Sequence, residues 1–206
     1  MNIAHMKHIS LFIGRFQPFH YGHLAALERI QSEMLGRWPT EYHRNELAIV
    51  VAVGYSGEID DRHIFHSEDV KEMVSAATSH FRVPVLVVRA QDTNDINTYG
   101  HKVLSSLNDV FTGTIFQKPT LTVYSGNDHT LDAFRRKISP DNFIMDLRVL
   151  EKKQGPFLCG TQIRSIIMAE ILGYPSETPW RKYVPPQVIP FVDSWIDATR
   201  KELKVK

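Results

Sequence analysis

Apolar positions along the chain alternate between two rhythms. Residues 9–13 (ISLFI) form a short apolar run that stops at Gly14, and after Pro18 the apolar residues Leu24, Leu27, Ile30 and Met34 recur at helical spacing. The run at residues 47–53 (LAIVVAV) has no polar alternation. It therefore reads as a strand buried on both faces, the habit of parallel sheets covered by helices. Ser67 then opens a helix with an acidic first turn, Glu68 and Asp69, that runs to about residue 79. Residues 83–88 read as a third strand, 96–107 as a helix and 121–124 as a fourth strand. Past Thr130 come a basic helix carrying Arg135, Arg136 and Lys137, a strand at 143–147, a helix after Gly160 and a terminal amphipathic segment at about 187–204. Strands alternating with helices predict right-handed crossovers and an α/β fold. Its open parallel sheet has helices on both faces, with ligands bound beyond the carboxyl ends of the strands, near Gly14.

Composition narrows the picture only a little. The 206 residues show no internal repeat or dividing linker, so one domain over 6–206 is expected, and residues 1–5 are set aside as an appended remnant. The 24 Lys and Arg against 23 Asp and Glu leave a formal charge of +1. No net field is available to hold a polyanion, so nucleic acid is not expected as a partner. One cysteine, Cys159, excludes an internal disulfide framework and points to a reducing compartment, with cytoplasm as the expectation. The apolar runs are strand-length, far short of the roughly 20 residues a membrane helix needs, so no membrane association is expected.

Chemistry concentrates in two strings. Residues 14–23 (GRFQPFHYGH) end a strand in glycine, cross a proline loop and start a helix with His20 and His23 three apart. A helix start with free N–H groups is an anion site, and imidazoles there can donate to phosphate oxygens. Gly22 between them would let a bulky ligand approach the backbone. Taken by themselves, the two histidines could equally be solvated or a metal pair. Residues 159–165 (CGTQIRS) stand just before an apolar helical segment. They read as a second helix N-terminus, with Thr161 able to cap it and Arg164 offering a fork suited to phosphate.

The first string resembles the signature of the H-x-G-H nucleotidyltransferase superfamily, and its GRFQPFHxGH form is similar to the opening of archaeal-type nicotinamide-nucleotide adenylyltransferases. The second is similar to that family's SGTxIR motif, with cysteine where serine is usual. The resemblance implies a Rossmann-like nucleotidyltransferase fold that moves AMP from ATP to nicotinamide mononucleotide (NMN), giving NAD and pyrophosphate. Nicotinate mononucleotide or another phosphorylated acceptor, or an ATP/NAD sensor without turnover, are the alternatives. It further implies that His20, His23 and Arg164 act on the phosphates. Gly14, Arg15, Phe16, Phe19 and Gly22 would line the ATP site with Cys159, Gly160, Thr161, Ile163 and Ser165. The loop at 123–128 (VYSGND) would bring Gly126 and Asn127 to the adenosine. Mg²⁺ would be held mainly through ATP phosphates, without a protein metal site.

The acceptor side is less legible. Val70 falls where the family carries an arginine, which leaves Arg62, His63 or Arg89 as substitutes, and Tyr99 could stack on the pyridine ring. His63 and His66 are read as a solvated pair. The segment at 180–185 (WRKYVP), similar to a family tail, is read as packing. From the length, a fused hydrolase is not expected. Relatives are commonly assembled, so a homo-oligomer stays open: Val188, Phe191, Trp195 and Ile196 could serve a subunit contact, although cover for the sheet is the expectation.

Overall fold

A computed structural model describes residues 6–39, 45–57, 59–93, 95–110, 118–126, 128–135, 143–150, 159–174 and 177–205. Among them, the strands are β1 (His8–Gly14), β2 (Leu47–Tyr55), β3 (Val85–Gln91), β4 (Thr120–Ser125) and β5 (Ile144–Val149). The helices are α1 (Tyr21–Arg37), α2 (Ser67–Ala77), α3 (Ile96–Val110), α4 (Asp128–Arg135), α5 (Gly160–Ile171) and α6 (Ile189–Val205). Each expected element is present with its ends moved by a few residues. Of the basic helix, Arg136 and Lys137 lie outside the described residues. No helix among those described is long and apolar enough to cross a membrane.

All strand pairs are parallel, in the order β3-β2-β1-β4-β5. The unbroken apolar run of β2 has the cause expected of it. Leu47, Ile49, Val51 and Val53 pack into one core while Ala48, Val50 and Ala52 pack into the other. The first core is roofed by α1, α2, α5 and α6, the second by α3 and α4. Val188 and Ile196 are buried in the first core and Phe191 and Trp195 pack against it, so the apolar face of the last helix covers the sheet.

The chain order reverses at β1, which has β2 on one side and β4 on the other. A crevice opens at such a switch point beyond the carboxyl ends of the strands. Phe12 is in register with Tyr124, so Gly14 and Gly126 reach the same edge of the sheet two residues further on. That edge is where the first string leaves the core.

Candidate active site

The turn between β1 and α1 is held by its own aromatic residues. Phe16 takes a left-handed φ of 55°, and its ring folds back so closely that a Cβ on Gly14 would sit 3.0 Å from it. Any larger residue at position 14 would have to push the Phe16 ring aside. The Gln17 side chain is buried and clamps Phe65 at both backbone groups, donating to its carbonyl at 3.0 Å and accepting from its N–H at 2.8 Å.

The two histidines follow as a stacked pair, ring centroids 3.7 Å apart. His20 is the N-cap of α1: its Nδ1 accepts from Gly22 N–H at 3.1 Å, and His23 Nδ1 accepts from His20 N–H at 3.3 Å. Burial lowers the His20 pKa to about 4. Burial, and then the neighbouring His20, hold His23 well below the ordinary histidine value. Both rings are therefore neutral near pH 7, and because each Nδ1 accepts, each proton sits on Nε2. The result is two stacked imidazoles offering Nε2–H donors.

This arrangement corrects one expectation. The first N–H groups of α1 are not open to a ligand. Tyr21 N–H donates to the Tyr183 carbonyl at 3.0 Å, Gly22 N–H to His20, and His23 N–H to the His20 carbonyl at 2.9 Å. The donors here are the imidazoles, and the 180–185 segment read as packing also satisfies the helix start.

The second string lands on the first. Arg164 Nη1 donates to the Gln17 carbonyl at 2.8 Å, across 147 residues of chain, and its Nη2 donates to Thr161 Oγ1 at 3.1 Å. A Cβ on Gly160 would come within 3.2 Å of the same Gln17 carbonyl. Desolvation, and then the charge of Arg15, lower the Arg164 pKa, so two guanidinium groups share one neighbourhood. Cys159, not Thr161, is the N-cap of α5, and its backbone N–H is taken by the Gln162 side chain at 3.0 Å. Gly160 and Thr161 N–H have no acceptor among the described residues. This second helix start has the open N–H groups that the first lacks, and α5 is long enough to add a favourable dipole for an anion.

Three residues expected to line the nucleotide site lie beneath it instead. Phe16, Phe19 and Ile163 are buried in the core, and Ile163 N–H is already bonded to the Cys159 carbonyl. Phe16 and Phe19 pack against the His23 ring and support it. Gly126 is exposed at the sheet edge with open space around it, and the exposed Ser165 donates to the Thr161 carbonyl at 3.1 Å. Asn127 lies outside the described residues.

Beside the β1 turn, past the ends of β2 and β3, a cleft of about 510 Å³ is lined by Ser56, Asp60, Asp61, Arg62, His63, Asp92 and Thr93. Arg62 is therefore well placed. Arg89 instead is ion-paired to Glu68 at 2.9 Å, and Val70 is core. Tyr99 is half-buried against the second core, its phenol pushed up by burial and then by the Asp92 carboxylate. His63 is not solvated as expected. It is 5% exposed, with Nδ1 3.0 Å from Asp60 and Nε2 3.3 Å from Asp92. Asp92 itself accepts from Arg15 Nε at 2.8 Å. Sequence reading missed Asp92, whose partner is 77 residues away. Among the described residues, no group of three or more His, Cys, Asp or Glu could hold a metal ion.

A doubly covered parallel sheet with a phosphate-type cradle at its switch point defines a nucleotide-binding α/β protein of the nucleotidyltransferase class. The chain belongs to the cytidylyltransferase-like family, whose sequence profile matches residues 11–170. A curated relative, the nicotinamide-nucleotide adenylyltransferase of Methanocorpusculum labreanum, is 26% identical over 188 residues, covering 88% of each chain. Two solved structures share the fold at 16% identity. One is a bifunctional NMN adenylyltransferase/ADP ribose pyrophosphatase from Francisella tularensis, with a TM-score of 0.59 over 93% of this chain and 50% of that one. The other is an NadR protein in complex with NAD and AMP-PNP, with a TM-score of 0.54 over 78% of this chain and 42% of that one. The chain thus spans about half the length of the solved structures it matches.

Proposed function

We propose that the protein transfers the adenylyl group of ATP to NMN, forming NAD and releasing pyrophosphate. The observation that carries this reading is the bond from Arg164 to the Gln17 carbonyl, which joins the two motif loops into one cradle of imidazole, guanidinium and backbone donors. The relative's activity agrees with it.

The incoming 5′-phosphate has its second pKa at about 6, so at pH 7 it needs no general base. The barrier is electrostatic: two anions must meet in line at the α-phosphorus while charge moves onto the departing pyrophosphate. His20 and His23 present Nε2–H donors to the phosphate oxygens without competing for a proton in the resting state, and an arriving polyanion raises both pKa values, strengthening the donors as charge builds. Arg164, already anchored through two N–H groups, has donors to spare for the β and γ oxygens. Gly160 and Thr161 supply backbone N–H groups, and Arg15 closes the cradle from the other side. The cleft of about 510 Å³ beside Arg15 is large enough for the acceptor, with Arg62 for its phosphate. Mg²⁺, when bound, would neutralise triphosphate charge; no protein ligand is assigned to it.

Pyrophosphate release measured with ATP, Mg²⁺ and either NMN or nicotinate mononucleotide tests the proposal. NMN-dependent release with NAD as the second product supports it. Release with nicotinate mononucleotide alone moves the activity to the acidic acceptor, and ATP binding without release contradicts transfer altogether.

A further inference from the structure

Arg15 stands between the triphosphate cradle and the acceptor cleft, and its guanidinium is gripped at one nitrogen only. Asp92 accepts from Nε at 2.8 Å, a contact that leaves both terminal nitrogens of the fork unused by Asp92. A bidentate grip would have used one of them. The side chain passes over Gly54, where a Cβ would lie 3.6 Å from Arg15 Cγ and 3.7 Å from Asp92 Oδ2, so strand β2 forms the floor beneath the pair. Arg164 repels Arg15. Among the described residues, the ion pair that opposes this repulsion is the one Arg15 makes with Asp92.

Asp92 is braced in turn. The same Oδ2 lies 3.3 Å from His63 Nε2, and the His63 ring is fixed from behind by Asp60 Oδ1 at 3.0 Å. Asp60 Oδ1 also accepts the N–H groups of Arg62 and His63, both at 2.7 Å, which sets the turn that carries the ring. The Nε2 contact is close but out of line for a hydrogen bond, leaving a buried ring nitrogen beside a carboxylate without a proper partner. Native structures rarely leave such a group without a reason. In this one it faces the atom that holds Arg15.

We infer that Asp92, braced by His63, is a positioning residue that fixes Arg15 for the triphosphate, so that the wall of the acceptor cleft sets the geometry of the phosphate cradle. This rests on the adenylyl-transfer reading for the ligand at the cradle, and it assigns neither residue a direct role in the chemistry.

A double-mutant cycle reads it. D92N, which keeps the shape and removes the charge, is expected to lower kcat/KM for ATP up to about a hundredfold, the scale of misplacing a group by an ångström. H63A should lose less, and H63Q, which restores a polar group at that reach, should recover most of the loss. In an R15A background, D92N and H63A should cost almost nothing further, because they act through Arg15. Circular dichroism melts check that each variant folds; should H63A fail, D92N with R15A carries the cycle. The affinity of a non-hydrolysable ATP analogue, measured by calorimetry on the same variants, gives a second cycle that needs no turnover. A wild-type protein that binds the analogue without releasing pyrophosphate would count against adenylyl transfer while this cycle still decides the positioning role. Losses that multiply with R15A, or a D92N protein with wild-type ATP parameters, would overturn the inference.

Discussion

At the start of α1 the first three backbone N–H groups are taken up inside the protein, and the donors left there are the Nε2–H groups of two imidazoles. At the start of α5, 139 residues later in the chain, Gly160 and Thr161 N–H have no acceptor among the described residues, and a guanidinium stands beside them. The two meet at the Gln17 carbonyl. The difference teaches that an anion site at a helix start need not use the helix's own N–H groups. In α1 those groups instead fix the tautomer of His20 and dock the 180–184 segment, and the ligand-facing role passes to side chains whose charge can change.

The largest effect is expected on the imidazole side. His20→Ala or His23→Ala should lower kcat by about 10² to 10³, the cost of removing one preorganised transition-state donor. Steady-state pyrophosphate release measures it, and wild-type turnover in both variants would remove the histidines from the mechanism. On the guanidinium side, Arg164→Ala should cost about 1.5–3 kcal/mol, or roughly ten- to a hundredfold in kcat/KM for ATP. Arg164→Lys should recover only part of this, because an ammonium cannot bond Gln17 and Thr161 as a fork does. Full recovery with lysine would reduce the role of Arg164 to bare charge.

A third effect, on stability and not on turnover, separates the two ends by pH. The folded-state pKa of His20 is about 4 against 6.5 for the ordinary ring, so between those values the unfolded chain binds more protons. Stability is then complete above pH 6.5 and falls as pH drops toward 4, by about 3 kcal/mol for His20 alone. His23, also depressed, adds in the same direction. Urea unfolding at a series of pH values should show this slope in the wild type and a shallower one in His20→Asn, while Arg164→Ala should leave it unchanged. A flat wild-type profile would mean that the imidazoles are not buried as neutral rings.

Much of the frame was legible because it is written in local pattern. The run through β2 reads as doubly buried, and its residues do alternate between two cores. The two strings carry their glycines, histidines and arginine in order, and they converge. What escaped depends on partners distant in sequence. His63 looks like one of two polar residues on a loop until Asp60 and Asp92 enclose it. Asp92 carries no local sign of its bond to Arg15. Phe19 and Ile163 sit inside the two motif strings, yet their hydrophobicity sends them into the core beneath the polar groups. Thr161 is a good capping residue by type, but the helix begins two residues earlier than that role requires, and its hydroxyl accepts from Arg164 instead.

A crystal structure with a non-hydrolysable ATP analogue is the most direct test of whether these two helix starts form one triphosphate cradle. The β and γ phosphates should lie between the His20 and His23 imidazoles and the Gly160–Thr161 backbone, with Arg164 still bonded to Gln17. A triphosphate bound at only one of the two starts, or lodged away from both, would contradict the account.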